Sequence, residues 1–269
     1  MIRALVGALA AGLVSAVARD RRELSASGAW AACAAGSGAA VAGWAWAALL
    51  IAFFLATTAL TSAGGREKLR RTNRILAPAS ARNATQVFAN GGLFVIAALA
   101  CMATGRAVWA LAALGALAAA TADSWSTEVG TLLGGVPRSV LSGRAVPVGM
   151  SGGVTAAGLA GALAGATFIA VLAPPLLNGV LPIPALRLVA AVIVGGVAGS
   201  LADSVIGAGA QSRRFCRRCQ EWTERAVHVC GEHTRHRSGF RWITNDVTNL
   251  LSTVAGAAVA VFVSGLMRD

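Results

Sequence analysis

Hydrophobic residues in this chain form eight long stretches that short polar segments separate. The stretches lie near residues 2–18, 24–43, 45–62, 86–103, 107–122, 152–173, 186–208 and 247–267. Runs 24–65, 83–105, 145–186 and 247–267 contain no Asp, Glu, Lys or Arg. A helix that crosses a bilayer needs about 20 apolar residues. The pattern predicts an all-α, polytopic membrane bundle of seven to eight transmembrane helices, with residues 1–269 forming a single domain.

The ends of some of these helices are also marked in the sequence. The uncharged run 24–65 fits two helices that turn near Gly43, and Pro174 and Pro175 are expected to end the sixth helix. Because Arg3 precedes an apolar run, the first stretch could instead be a signal peptide. The charged residues 19–22 that follow are typical of a retained span, so we expect it to stay.

Composition agrees with a membrane protein. The chain is 56% hydrophobic and 13% charged, whereas a soluble domain carries roughly 25% charged residues. A soluble helical protein of this length could not bury eight such helices. The net charge of +12 could indicate a nucleic-acid partner, but no helix-turn-helix or RNA-binding sheet pattern is present. Contact with anionic lipid headgroups explains the charge, and we expect no nucleic-acid partner.

The charged residues are concentrated on one side of the predicted bundle. If every stretch crosses the membrane, 19 of the 23 Lys and Arg lie in the connections 19–23, 63–85, 123–151 and 209–246. All acidic residues except Asp269 lie on the same side. Short cytoplasmic loops retain Lys and Arg. We therefore expect a protein of a prokaryotic-type cytoplasmic membrane whose active face is the cytoplasmic one.

Polar side chains cluster where the helices reach this face. They are Arg82, Asn83, Gln86 and Asn90 at the fourth stretch, Asp123, Ser124 and Glu128 after the fifth, Asp203 in the seventh, and Asn245, Asp246 and Asn249 at the eighth. A carboxylate inside a membrane helix costs roughly 2.5–3.5 kcal/mol and usually has a function. The acids could pair with Arg82, Arg144 or Lys68, bind a metal, or line an ion path.

Two features of the acidic positions limit these alternatives. Asp123 and Glu128 are five residues apart, roughly 140° around a helix, so they share an ion only if the helix ends or bends between them. Ala122-Asp123-Ser124 is repeated as Ala202-Asp203-Ser204. The repeat could be a duplicated half-site or a coincidence.

Phosphate-binding residue types occur at the same depth. Arg82 and Arg144 could clamp phosphate oxygens, and Ser151-Gly152-Gly153 at a predicted helix start could offer backbone N–H groups to an anion. With the neighbouring acids, these residues predict a site for phosphate and Mg²⁺. No GxxxxGK[ST] or protein-kinase catalytic-loop motif is present, so nucleotide chemistry would use another scaffold.

A separate motif lies in the last polar connection. Cys216, Cys219, Cys230 and His233 have the spacing C-x2-C-x10-C-x2-H, which suits a structural Zn²⁺ site. His228 and His236 are alternative fourth ligands, and reduced thiols without a metal are the competing interpretation. We expect a zinc-ribbon-like cytoplasmic insertion over residues 213–241.

Three stretches resemble a known family. They are residues 82–92, residues 120–130 with 146–154, and residues 199–208 with 245–249. They resemble the integral membrane family that includes the plastid phytyl-phosphate kinases of tocopherol synthesis and uncharacterised prokaryotic relatives. That family is distantly similar to polyprenol kinases and CDP-lipid synthases. The residues that the resemblance implicates are Asp123, Glu128, Asp203, Asp246, Asn83, Gln86, Asn90, Ser151, Gly152, Gly153 and Asn249.

The resemblance implies a membrane kinase that uses a nucleoside triphosphate, CTP or ATP, to convert an isoprenoid monophosphate to the diphosphate. Mg²⁺ would be held by Asp123, Glu128 and Asp203, and Asp246 would be a further catalytic carboxylate. Two alternatives remain open: a CTP-dependent cytidylyltransferase acting on a lipid phosphate, and a transporter or scramblase of anionic lipid or ions. Transporter sites tend to lie at the membrane midplane, whereas these polar residues lie at helix ends.

Overall fold

The computed structural model describes residues 2–63, 65–76, 81–178 and 183–267. Within these ranges the chain forms nine α-helices. They are α1 Ile2–Asp20, α2 Ala26–Ala42, α3 Trp44–Ser62, α4 Gly65–Thr72, α5 Ala84–Thr104, α6 Ala107–Leu133, α7 Ala156–Leu176, α8 Ala185–Gly209 and α9 Asn245–Leu266. The predicted all-α membrane bundle is confirmed.

Each of the eight hydrophobic stretches forms one long helix. Seven of these helices are long and apolar enough to cross a membrane, and α2, with 17 residues, is shorter than the others. Helices α2 and α3 meet at Gly43, as predicted. The additional helix, α4, is short and polar, and it lies in the connection between α3 and α5.

Helix α6 lies at the centre of the bundle and packs against α3, α5, α7, α8 and α9. Small residues permit this packing. A Cβ atom added to Gly199 of α8 would lie 2.4 Å from the Cβ of Ala119, and one added to Gly196 would lie 2.9 Å from the Cβ of Ala118. Backbones that approach so closely gain packing contacts in lipid, where hydrophobicity does not drive helices together.

Two predicted helix boundaries were wrong, the end of α6 and the start of α7. Helix α6 continues to Leu133 instead of ending near residue 122. The polar residues after position 122 line a cavity, so they can remain helical. Pro174 and Pro175 lie in the last turn of α7, which ends one residue later at Leu176, close to the predicted end. The two proline nitrogens have no N–H to donate to the preceding turn, which disfavours continuation of the helix. Helix α7 begins at Ala156, after the cap residue Thr155, because Gly153 and Val154 form strand β2 and pair with strand β1, Arg138–Ser139.

The polar connections meet on one side of the bundle, which we call the rim. At the rim, Leu24 pairs with Arg82 through the backbone, and Ser151 contacts Glu224. On the opposite side, Arg187 at the start of α8 binds the backbone carbonyl of Ser264 near the end of α9. The alternation of the two sides agrees with the order predicted from the sequence.

The connection between α8 and α9, residues 210–244, is named here the cysteine arm. It contains strands β3 Arg213–Cys216, β4 Glu221–Thr223 and β5 Arg235–Ser238, antiparallel in the order β4-β3-β5. Its two ends are joined by the hydrogen bonds Ser212 N–H to Ile243 O, 2.9 Å, and Phe240 N–H to Ala210 O, 2.9 Å. The arm thus returns to the bundle close to where it leaves.

Candidate functional site

A polar cavity of about 670 Å³ opens at the rim. Its walls come from α3, α5, α6, α7, α8, α9, the cysteine arm and residues Gly149–Gly153, which we call the Gly-rich loop. The cavity brings together most of the residues predicted from the sequence. They are Arg82, Gln86, Asp123, Ser124, Glu128, Ser151, Gly152, Gly153, Asp203, Asn245 and Asn249.

Four predicted site residues do not line this cavity. Asn83 caps α5, and its side chain and that of Gln86 form a reciprocal capping box. The Asp246 carboxylate accepts a 2.6 Å hydrogen bond from Thr85 Oγ1. Arg144 is exposed in the turn before the Gly-rich loop. Asn90 lies one turn deeper than Gln86 and donates to its backbone carbonyl at 3.0 Å.

Asp123 and Asp203 occupy equivalent positions on two helices that run in the same direction. Ala119 and Gly199 are in close contact, and Asp123 and Asp203 come four residues after them. Both aspartates therefore lie one turn nearer the rim, and both line the cavity. Among the residues that the structure describes, Asp203 Oδ2 is a buried oxygen that accepts no hydrogen bond. The repeated Ala-Asp-Ser triplets therefore mark one depth of the same cavity.

Glu128 does not join these two aspartates. Its Oε2 lies 2.6 Å from Lys68 Nζ, and its Oε1 accepts a 2.8 Å hydrogen bond from Thr61 Oγ1. Helix α6 is unbroken between Asp123 and Glu128, so the two carboxylates point in different directions. Within the described ranges, no cluster of three carboxylates converges within 4.8 Å. Glu128 fits the ion-pair alternative, with Lys68 as its partner.

Arg82 lies at the inner end of the cavity and is held by α3. Its Nη1 donates to Thr58 Oγ1 at 3.0 Å, and its Nη2 donates to Thr61 Oγ1 at 3.4 Å. Its guanidinium carbon lies 5.8 Å from the centre of the Phe54 ring. Burial lowers the pKa of Arg82, whereas the negative charges of Glu128 and Glu23 act to raise it. The side chain keeps its charge, since an arginine is not deprotonated in proteins.

An apolar groove of about 350 Å³ continues from the cavity toward the opposite side of the membrane. It lies between α1, α2, α3 and α5, and Arg82, Gln86, Thr57 and Ser124 line both spaces. Asn90 also lines the groove. From Thr57 the groove extends along α3 to Trp44, a distance of roughly 20 Å at 1.5 Å per helical residue. The combined space has a charged end and a long apolar end.

Glu224 of the cysteine arm is a cavity residue that the sequence did not indicate. One of its carboxylate oxygens accepts hydrogen bonds from the Ser151 N–H at 3.1 Å and from the Ser151 hydroxyl, and the other accepts from Gln211 Nε2 at 3.2 Å. Burial raises the pKa of Glu224, while the bonds from Ser151 and the charge of Arg213 act in the opposite direction.

The contact with Glu224 changes the role expected for the Gly-rich loop. The Ser151 amide was predicted to be free for an anion at a helix start, but it is bonded to Glu224, and the helix starts later, at Ala156. The Gly153 amide bonds to Met150 O at 3.1 Å. These two amides already have acceptors in the protein. Glu224 is 73 residues from Ser151, so only the docking of the arm reveals the pair.

The cysteine arm contains a cluster that could hold a metal ion. The ligand atoms of Cys216, Cys219, Cys230 and His228 all lie within 4.8 Å of one another. A hydrogen bond with His228 lowers the pKa of the Cys230 thiol to about 6, and the lowered pKa favours the thiolate form that binds metals. The hydrogen bond with Cys230 raises the pKa of the Cys219 thiol to about 11. His233, the predicted fourth ligand, is exposed and pairs with Val227 through the backbone. His228, and not His233, therefore lies with the three cysteines.

These features define an integral membrane helical bundle with an amphiphilic site at one membrane face. The chain belongs to the family described as Integral membrane protein DUF92, whose model matches residues 9–257. This match confirms the family resemblance found in the three sequence stretches. No solved structure matches the chain.

Two relatives show how far the similarity extends. Protein PGR of Arabidopsis thaliana is 29% identical over 233 residues, which cover 78% of this chain and 78% of the relative. An uncharacterized membrane protein of Methanocaldococcus jannaschii is 24% identical over 223 residues, which cover 82% of this chain and 77% of the relative. The similarity therefore includes both the membrane helices and the rim.

Proposed function

We propose that the protein is a membrane phosphotransferase that converts an isoprenoid monophosphate to the diphosphate with a nucleoside triphosphate. The observation that carries this proposal is the continuity of the apolar groove with the polar cavity, with Arg82 where they meet. A lipid phosphate has the same arrangement of a long apolar tail and a compact anionic head. The cavity volume is also within the 300–1,000 Å³ range typical of ligand sites.

In this proposal the lipid tail occupies the groove and its phosphate lies beside Arg82. One residue of extended polypeptide has three backbone bonds and spans about 3.3–3.6 Å. On that scale, an extended isoprene unit, which adds four bonds to the chain, spans roughly 5 Å. The groove length of roughly 20 Å would then accept a tail of about four units. The hydrogen-bonding side chains Gln86, Asn245 and Asn249 face the same cavity and would orient the phosphate oxygens and the nucleotide.

Asp123 and Asp203 fit the Mg²⁺ ion that such a reaction requires, because they are carboxylates at one depth and Asp203 Oδ2 lacks a partner in the described structure. Asp123 and Asp203 would hold the ion, which would supply positive charge to neutralise the phosphates during transfer. Glu128 supports the site indirectly through Lys68 and Thr61. The terminal phosphoryl group would pass to a phosphate oxygen of the lipid, releasing the nucleoside diphosphate.

The ion proposed for the cysteine cluster is Zn²⁺, in a structural role. Three thiolates and one imidazole form a closed set of four ligands, which is typical of structural zinc sites. This cluster is distinct from the carboxylates proposed for Mg²⁺.

The proposed reaction is tested with purified full-length protein in nanodiscs. Prenyl phosphates of different length are incubated with ATP, CTP, GTP or UTP and Mg²⁺, and lipid and nucleotide products are identified by mass spectrometry. A prenyl diphosphate with a nucleoside diphosphate supports the kinase. A CDP-lipid with pyrophosphate would show a cytidylyltransferase instead. If no product forms, and the protein in sealed vesicles instead allows lipid or ions to cross the membrane, the result would favour a transporter.

A bulky residue in the groove is expected to weaken binding of long-tailed substrates selectively. Ala48 lines the groove, whereas Leu55 on the same helix is 57% exposed on the outer surface of the bundle. We expect Ala48→Phe to raise KM for a four-unit prenyl phosphate about 10-fold, since excluding two CH₂ groups costs roughly 0.8 kcal/mol each. KM for a one-unit prenyl phosphate should change little. Leu55→Phe is the control, and an equal effect from it would exclude the groove as the tail site.

We also propose that the rim faces the cytoplasm, because its connections carry most of the Lys and Arg. A cysteine introduced at exposed Arg144 should react with a membrane-impermeant maleimide in inverted vesicles but not in intact cells. A cysteine at exposed Arg106, on the opposite side, should show the reverse. The parent chain gives the background from the native cysteines. Reaction of the cysteine at position 144 in intact cells would reverse the assigned orientation.

A further inference from the structure

The cysteine cluster has the dimensions of a tetrahedral metal site. Cys216 Sγ and Cys230 Sγ are 3.6 Å apart, whereas the sulfurs of a disulfide are separated by about 2.05 Å. With Zn–S bonds of about 2.3 Å, the sulfurs of a tetrahedral site lie about 3.8 Å apart. The cluster therefore has the spacing of metal ligands rather than that of an oxidised pair.

His228 lies between this cluster and a carboxylate. Its Nδ1 is 3.4 Å from Cys230 Sγ, and its Nε2 is 3.4 Å from Glu221 Oε2. The residue is only 2% exposed. Within the described structure, Nε2 and Glu221 Oε2 are close but form no hydrogen bond. A histidine that binds a metal through one nitrogen commonly donates its other N–H to a carboxylate, which fixes the ring orientation. Glu221 Oε2 is near enough to accept such a bond from a metal-bound His228 after a small adjustment of the ring.

Strand β4 also contacts the segment that follows α4. Glu221 Oε1 accepts a 2.6 Å bond from Arg74 Nη1, and Thr223 Oγ1 donates to Arg74 O at 2.9 Å. The Glu224 N–H donates to Ile75 O at 3.0 Å. Arg225 Nη1 reaches the carbonyl of Asn73 at 2.8 Å. The arm thus binds three consecutive residues, 73–75, and connects them to the metal cluster.

The same strand leads into the polar cavity. Glu224 directly follows β4, and its carboxylate accepts the bonds from Ser151 and Gln211 described above. In addition, Arg213 Nη2 donates to Ser151 O at 2.8 Å and to Gly207 O at 3.0 Å. The Gly-rich loop is therefore held at Ser151 by the arm, through both its amide and its carbonyl.

We infer that a metal ion bound by Cys216, Cys219, His228 and Cys230 orders the Gly-rich loop of the cavity through β4. Glu224 is the positioning residue that transmits this order to Ser151. The inference depends on a metal in the arm and does not require the kinase reaction. Removing the metal would release His228 and Glu221, and β4 would lose its support at that end.

The first measurement is the metal content of the purified full-length chain, by elemental mass spectrometry. We expect one Zn²⁺ per chain, and loss of the metal from Cys216→Ser and His228→Gln. His233→Gln is the matched control and should retain the metal, because His233 lies outside the cluster. Glu221→Gln should weaken metal affinity by roughly 10–100-fold. A chain without bound metal, or equal losses from His228→Gln and His233→Gln, would overturn the site.

The second measurement follows amide hydrogen exchange in the wild-type chain before and after chelation of the metal. Chelation avoids the risk that a cysteine variant fails to fold. We expect faster exchange in the arm and also in peptides that cover residues 73–76 and 147–154. Adding Zn²⁺ back should restore protection, and the outer-side turn at residues 105–106 is the internal control.

Glu224→Ala separates the metal from its effect on the loop. This variant should retain Zn²⁺ and the protection of the arm, yet exchange at residues 147–154 should be faster than in the metal-bound wild type. If chelation accelerates exchange in the arm but leaves 147–154 unchanged, the arm is not coupled to the cavity and the inference is wrong. Unchanged exchange at 147–154 in Glu224→Ala would equally exclude Glu224 as the positioning residue.

Discussion

Replacing Asp203 with Asn is expected to lower kcat for prenyl-phosphate phosphorylation by roughly 10²–10³-fold, the size of effect seen when one charge-stabilising group is removed from an active site. The substitution preserves side-chain volume and removes the negative charge. Asp203 Oδ2 has no partner in the described structure, so its charge is available to a cation. The rate should be measured at saturating lipid and nucleotide over a Mg²⁺ titration, in which the variant requires more Mg²⁺.

Asp246→Asn is the matched control for this experiment. The sequence resemblance implicated both aspartates, but Asp246 bonds to Thr85 and does not line the cavity. Its replacement should leave the rate and the Mg²⁺ requirement unchanged. Equal losses in the two variants would contradict the assignment of the site to the cavity. A normal rate in Asp203→Asn would exclude Asp203 from the reaction.

Replacing Lys68 with Met is expected to lower the free energy of unfolding by about 3–5 kcal/mol, the usual cost of removing one partner from a buried ion pair. Lys68 is 8% exposed, and its ammonium contacts Glu128 Oε2 and the carbonyls of Leu60 and Thr61 at the end of α3. Without Lys68, the Glu128 carboxylate, whose side chain is only 18% exposed, loses its ion-pair partner. Reversible unfolding in mixed detergent micelles measures the change.

The double variant Lys68→Met with Glu128→Gln tests the reason for the loss. Because it leaves no unpaired charge, it should be more stable than Lys68→Met alone. Glu67→Gln serves as a control on the same helix, since the pair of Glu67 with Arg71 is exposed. That variant should unfold nearly as the parent does. A double variant no more stable than the single one would show that the ion pair is not the source of the effect.

Local patterns were sufficient to predict the helices and the depth of the polar residues. Runs of about 20 apolar residues need internally bonded backbones in lipid, so each run forms a helix whatever its neighbours. The polar residues at the ends of these runs must then lie at a membrane face. Asp123, Asp203 and Arg82 were located by this reasoning alone.

The arrangement of those residues around a site depends on contacts between distant segments. Glu128 pairs with Lys68 because α4 folds back against α6, and Glu224 reaches Ser151 because the arm docks on the rim. Neither contact leaves a repeating signal in the sequence, since each joins residues at least 60 positions apart.

The sequence by itself determined the helical membrane bundle, its asymmetry of charge, and the cysteine spacing in the arm. Tertiary structure alone decided that His228 rather than His233 lies with the cysteines, that Arg144 and Asp246 lie outside the cavity, and that an apolar groove continues from it. The physical reason is the range of the interactions. Hydrophobic periodicity acts within one helix, whereas the direction of a polar side chain is set by the partners that packing brings to it.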